Sequence, residues 1–190
     1  MRRIGETMIS LETIRRAHST EGGMARHYLT LYACVIGVEA KSVFEFGGGH
    51  STTTILEALE ETDGTLITCD PQKAEALWLK PNDRWTHLKM ESRKALKTLE
   101  DNQMFDLVFH DGTHKEREVR HDIKLIFPHL KKNGLLLIHD TFDNEKSYGI
   151  LNVLSDIIKE HSTLCYGHGL TIVRQTEGDI SIQPKWTKDR

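Results

Sequence analysis

The segment Val43-Phe44-Glu45-Phe46-Gly47-Gly48-Gly49-His50-Ser51-Thr52 constrains this chain more than any other. A β-branched and aromatic run stops at consecutive glycines, and an amphipathic stretch follows at once. Within Thr52–Glu61, the side chains of Ile55, Leu56 and Leu59 fall on one helical face. The segment therefore reads as strand, sharp turn and helix. Glycine lets the backbone turn tightly and lets a ligand approach without meeting a Cβ. The unpaired N–H groups of the helix start point at whatever lies beside them. The same turn also serves chains that bind nothing there, so alone it fixes a shape and not a function.

The rest of the sequence repeats the alternation. Ser42–Phe46, Thr65–Asp70, Trp85–Met90, Phe105–His110 and Gly134–Asp140 read as strands. His114–Leu130 is helical through Val119, Ile123, Ile126, Phe127 and Leu130, and Glu145–His161 through Ile150, Leu151, Leu154, Ile157 and Ile158. Asp63-Gly64 and Asn133-Gly134 stand where helices should stop and strands begin. Ser162–Tyr166, a Gly167-His168-Gly169 turn and Leu170–Arg174 read as a hairpin, which places an antiparallel strand at the end of the sheet. Strands alternating with helices make an α/β fold with a mostly parallel sheet.

Ahead of the first strand, Thr7–Ala17 and Met24–Val38 read as two capping helices, the second capped by Ser19 or Thr20. With 190 residues, the expected organisation is one domain over 1–175 and a polar tail over 176–190. Residues 1–40 would cap a Rossmann-like core spanning 41–175. A net charge of -3 and a pI near 6.4 argue against a nucleic-acid or membrane-surface partner. No apolar h-region follows Met1–Arg3, and no apolar run approaches the roughly 20 residues a membrane span needs. Cys34, Cys69 and Cys165 are far apart and read as small buried hydrophobes in a reducing, cytoplasmic compartment.

The residues around the glycines point to the kind of nucleotide. A dinucleotide fold wants G-x-G-x-x-G/A, and here the third position is Thr52. Glu45, two residues before the first glycine, would repel a pyrophosphate and suit a cationic ligand. Asp70, at the end of the second strand, can accept hydrogen bonds from ribose hydroxyls, and equally can cap the turn at Pro71. Glu45-x-Gly47-x-Gly49, then Asp70, then Glu91-Ser92, then Asp106 and Asp111 resembles the motif order of class I S-adenosylmethionine-dependent methyltransferases over about residues 41–175. The resemblance implies a Rossmann-like, mostly parallel seven-stranded sheet with helices on both faces and a C-terminal antiparallel hairpin. It implies that Gly47, Gly48 and Gly49 lie beneath the methionine part of the cofactor and that Asp70 holds the ribose. Glu91 and Ser92 would flank the adenine. Ser51 stands where many members have a third glycine.

Open α/β sheets bind ligands at the carboxyl ends of their strands. The fourth and fifth strands end in His110-Asp111-Gly112-Thr113-His114 and His139-Asp140-Thr141-Phe142-Asp143, so Asp111, His114, His139 and Asp140 should meet at one edge. The D-G-x-H and H-D pair is similar to small-molecule O-methyltransferases, some of which hold a divalent ion such as Mg²⁺. In them, Asp111 and Asp140 would be metal ligands, with Thr141 or His139 in the third position. His114 would be the general base for a substrate hydroxyl, with Asp111 beside it or bound directly to cofactor. The remaining histidines, His18, His27, His87, His121, His129 and His161, read as solvated. A small-molecule hydroxyl is the expected methyl acceptor. Two rival readings are an NAD(P)-dependent oxidoreductase, which Glu45 and Thr52 oppose, and a non-catalytic S-adenosylmethionine-binding module.

Overall fold

The structure, a computed structural model, describes residues 24–72, 82–142, 161–165 and 168–176. Its strands are β1 (Ser42–Phe46), β2 (Thr65–Cys69), β3 (Trp85–Leu88), β4 (Phe105–His110), β5 (Leu130–His139), β6 (Ser162–Leu164) and β7 (Leu170–Arg174). They form one seven-stranded sheet in the order β3-β2-β1-β4-β5-β7-β6. The first five strands run parallel, and β7 is antiparallel to both β5 and β6. The helices are α1 (Tyr28–Gly37, entered through a 3₁₀ turn at Met24–His27), α2 (His50–Thr62), the short α3 (Ser92–Ala95) and α4 (Glu116–Ile126).

The side-chain alternation of the strands supplies both faces of the core. Phe44 and Phe46 of β1, Val108 of β4, and Leu136 and Ile138 of β5 pack with Val119, Ile123 and Ile126 of α4. On the other face, Val43, Leu107, Phe109 and Leu137 pack against Leu31 and Val35 of α1 and Ile55 and Leu59 of α2. Strands buried on both faces read as continuous apolar runs, as these do. Because β1 lies between β2 and β4, the strand order reverses beside it, and a crevice opens at its carboxyl end.

Several boundaries differ from expectation. Helix α4 begins at Glu116 and ends at Ile126, because Pro128 lacks the N–H a further helical turn needs and a 3₁₀ turn, Phe127–His129, follows. His114 thus precedes the helix. Strand β5 already begins at Leu130, so Asn133-Gly134 does not separate helix from strand. It lies inside β5, with Asn133 at φ 65° and a register shift against β4 between Phe105 and Leu107. Strands β2 and β3 stop at Cys69 and Leu88, short of Asp70 and Met90. At the α2 terminus the left-handed residue is Asp63 (φ 56°), while the Gly64 N–H bonds the Leu59 carbonyl.

The expected helix Thr7–Ala17, all of Glu145–His161 except its last residue, and the tail beyond Thr176 lie outside the described residues. Among the described residues, no helix is long and apolar enough to cross a membrane. The cysteines are free, but only Cys69 is buried, and Cys165 is exposed.

Candidate active site

The carboxyl end of β1 is locked before any ligand is considered. The Gly47 N–H donates to the Cys69 carbonyl at 3.0 Å, and the Asp111 N–H donates to the Phe46 carbonyl at 2.9 Å. Gly47 sits at φ 80°, and a Cβ there would lie 2.4 Å from the Asp111 carbonyl oxygen. This glycine is therefore demanded by the crossing of the β1 and β4 ends, and not by ligand approach alone. Gly49 is extended (φ 163°), and a Cβ there would meet nothing within 4 Å.

Glu45 lies beneath the turn, wholly buried. Its carboxylate accepts hydrogen bonds from Ser51 Oγ, Thr52 Oγ1 and Thr68 Oγ1, each at 2.7 Å. Thr52 Oγ1 in turn accepts the Gly49 N–H at 3.0 Å, and Thr68 Oγ1 accepts the Trp85 indole N–H at 2.9 Å. Burial pushes the Glu45 carboxyl up to about 7, the three hydroxyls oppose the rise, and the Asp111 charge adds to it. Glu45 and Ser51 are thus engaged with one another and not exposed to a ligand. Hydroxyls on α2 and β2 hold the carboxylate, so in this structure the pair anchors the glycine turn.

Asp70 combines both of its expected geometries. Its Oδ2 accepts the Gly48 N–H at 2.9 Å and its Oδ1 accepts the Gln72 N–H at 2.7 Å, so it braces the glycine turn and closes its own. Each oxygen has accepted one bond and retains capacity for another. The carboxylate stands at the wall of a cavity of about 790 Å³. Gly47, Gly48, Asp70, Glu91, Ser92 and Asp111 all contribute to that wall; Glu45, Gly49, Ser51 and His114 do not. Sequence reasoning did not find Arg93, Glu118, His121 and Asp122, which line the far side. The signal for the last three was their recurrence at helical spacing along α4, and Arg93 follows Ser92 on α3.

At the neighbouring edge, Asp111, His139 and Asp140 bring one ligand atom each within 4.8 Å of one another. His139 Nδ1 lies 3.1 Å from Asp111 Oδ1 and 3.4 Å from Asp140 Oδ1. His114 Nε2 pairs with Asp140 Oδ2. The expected partnership of His114 with Asp111 is corrected accordingly: His114 takes Asp140, and Asp111 takes His139. The reason is local geometry. Asp140 adopts φ 58° just past β5, while His114 lies on the loop before α4, next to the extended Lys115.

Burial of His139 would lower its pKa, but hydrogen bonds and charge from Asp111 and Asp140 outweigh it and push it up to about 10. Burial likewise favours the neutral form of Asp140, yet hydrogen bonds from His114 and His139 hold its carboxyl well below the usual range. Thr141 is buried, and its Oγ1 accepts from Thr171 Oγ1 at 2.8 Å, so its hydroxyl belongs to β7.

His27 is fully buried, with its ring edge-on to His139 at 5.4 Å. The reading of it as solvated is corrected. It stands at the cap of α1, four residues before Leu31 and eight before Val35, in line with the buried stripe of that helix, and that spacing was the available signal. Of the other histidines read as solvated, His161 is exposed and His87, His121 and His129 are half-buried; His18 lies outside the described residues. His87 bonds the Asp70 carbonyl and stacks on Trp85, and His129 bonds the Gln103 carbonyl.

Comparison with known proteins agrees with this geometry. A family model described as a methyltransferase domain matches residues 44–141, just over half of the chain. A search of curated protein sequences finds no match. The fold is similar to that of a protein from Corynebacterium glutamicum, with 19% identity, a TM-score of 0.66, and coverage of 90% of this chain and 93% of that one. It is similar to an O-methyltransferase from Bacillus cereus, solved with SAH, at 15% identity, TM-score 0.64, and coverage of 87% and 89%. It is also similar to a methyltransferase of the mycinamycin biosynthetic pathway solved with magnesium and SAH, at 17% identity and TM-score 0.59. That match covers 90% of this chain and 56% of the other. At such identities the likeness is one of fold. The family match sets aside the oxidoreductase reading, and with the sheet order it shows that this chain belongs to the methyltransferase-domain family, as a class I, S-adenosylmethionine-dependent enzyme.

Proposed function

We propose that this methyltransferase methylates a hydroxyl of a small molecule, with His114 as the general base. The observation that carries the reading is the position of Asp111, which belongs both to the cavity wall and to the carboxylate–imidazole cluster. A cofactor whose ribose met Asp70 would extend along that wall with its reactive end toward the cluster. The cavity fits S-adenosylmethionine: Asp70 keeps an acceptor site on each oxygen for the ribose diol, and Glu91 and Ser92, which also line the wall, would flank the adenine. Bound there, S-adenosylmethionine would supply the methyl to an oxygen nucleophile, its sulfur keeping the electron pair as a thioether.

The protein has to position the acceptor and receive its proton. The His114 side chain is about one-third exposed and so is open to an acceptor. Asp140 fixes the imidazole and stabilises the imidazolium that forms when it takes the hydroxyl proton. His139 and Asp111 hold the cluster's other side, and His27 packs behind them.

Asp111, His139 and Asp140 offer two carboxylates and an imidazole nitrogen, a donor set that fits a divalent cation. Such an ion would make the acceptor hydroxyl more acidic. The net charge of -3 is in keeping with a small-molecule acceptor and gives no support to a nucleic-acid or membrane-surface partner.

The test is methyl transfer from S-adenosylmethionine over a panel of hydroxylated acceptors, with native protein, native protein plus chelator, and His114→Ala. If chelator abolishes turnover while His114→Ala barely changes it, His114 is not the base.

A further inference from the structure

We infer that the Asp111–His139–Asp140 cluster takes a first-row transition-metal dication in preference to Mg²⁺. The inference rests on the methyl-transfer reading only in placing the acceptor beside the same cluster. Three features of the chain support it.

The first is spacing. Donors about 2.1 Å from one small cation lie about 3.0 Å apart at right angles and about 3.4 Å apart at the tetrahedral angle. His139 Nδ1 stands 3.1 Å from Asp111 Oδ1 and 3.4 Å from Asp140 Oδ1. The donor atoms of all three residues lie within 4.8 Å of one another, so a small closure of the two carboxylates would let one ion be shared.

The second is donor chemistry. Mg²⁺ asks for oxygen ligands in a near-ideal octahedron, whereas imidazole nitrogen suits Zn, Fe, Ni and Cu. The hydroxyl that would have added a hard oxygen, Thr141 Oγ1, is buried and already bonded to Thr171.

The third is support for the ligands. His114 engages Asp140 Oδ2, which leaves Oδ1 facing His139. His139 is held edge-on by the buried His27. Asp111 and Asp140 are both partly exposed, and Asp111 also lines the cavity, so the site opens toward it and leaves coordination positions for water or an acceptor hydroxyl. On binding, the His139 Nδ1 lone pair goes to the metal and any proton on that atom goes to solvent.

The experiment uses untagged full-length protein stripped with chelator and titrated with Co²⁺ or Mg²⁺. Calorimetry and the visible d–d absorption of Co²⁺ are the readouts. The expected result is one Co²⁺ site, with a d–d spectrum and an affinity at least about tenfold above that for Mg²⁺. His139→Asp, which makes the set all-oxygen, should shrink or reverse that ratio. Asp111→Asn should weaken Co²⁺ by about 10–100-fold, and thermal unfolding checks that each variant folds.

Equal affinities for the two ions, no Co²⁺ binding, or Co²⁺ binding indifferent to both substitutions would each overturn the inference. Calorimetry with S-adenosylmethionine keeps the two readings apart. Protein that binds S-adenosylmethionine but not Co²⁺ loses this inference alone, and protein that binds Co²⁺ but not S-adenosylmethionine loses the cofactor assignment alone.

Discussion

Replacing Glu45 by glutamine should change how the stability of this protein depends on pH. In the folded chain, burial pushes this carboxyl from an ordinary 4.5 to about 7, against the opposing hydrogen bonds of Ser51, Thr52 and Thr68. Below pH 4.5 the group is protonated both folded and unfolded, and it contributes no pH dependence. Between about 4.5 and 7 the unfolded chain releases this proton while the folded chain keeps it. The unfolded state then binds fewer protons, so stability falls as pH rises, and above 7 the loss is complete. A gap of roughly 2.5 at about 1.4 kcal/mol for each is a loss of about 3 kcal/mol.

Glutamine does not titrate, and the site can receive it. Its amide oxygen can take the place of Oε2, which accepts from Thr52 and Thr68, while its NH₂ donates to a rotated Ser51 hydroxyl at the place of Oε1. Urea denaturation of both proteins at pH 4.5 and 7.5 gives the difference in unfolding free energy, in which the other titrating groups cancel. That difference should shift by about 3 kcal/mol in favour of Glu45→Gln as pH rises. The same difference at both pH values would refute the argument that a buried carboxyl holds its proton under the glycine turn.

The glycines should separate fold from ligand. Gly47→Ala meets the Asp111 carbonyl at 2.4 Å and should cost more than the about 1–2 kcal/mol of a left-handed backbone alone, read as a lowered thermal midpoint. Gly49→Ala, with open space around its Cβ and a place off the cavity wall, should keep both its midpoint and its affinity for S-adenosylmethionine; a lost affinity would bring the cofactor against Gly49. His114→Ala should lower turnover by roughly 10²–10⁴-fold with cofactor affinity nearly intact, measured by steady-state kinetics beside calorimetry.

The sequence disclosed what is local. The β1–glycine–α2 unit and the closing hairpin could be read because strand, turn and helix signals are adjacent in the chain. The convergence of Asp111, His114, His139 and Asp140 followed from neighbouring parallel strands ending together. The pairing within that group did not follow, because it depends on the left-handed backbone at Asp140 and on where the loop before α4 carries His114. The same is true of Glu45. Its spacing to the glycines shows that it lies near the turn, but only the fold brings hydroxyls from α2 and β2 onto its two oxygens. The bulge at Asn133-Gly134 was hidden for a different reason: Asn-Gly also marks the end of a helix, and the early stop imposed by Pro128 decides between the two.

The central claim is that the cavity between Asp70 and Asp111 receives S-adenosylmethionine with its ribose on Asp70. Calorimetry of native protein and Asp70→Ala against S-adenosylmethionine tests it most directly. The account predicts one site in the native protein and binding weaker by about 1–3 kcal/mol in the variant, because the ribose hydroxyls and the Gly48 N–H both lose their acceptor. Native protein that takes up no S-adenosylmethionine, or a folded Asp70→Ala that binds it as tightly as native, would contradict the account.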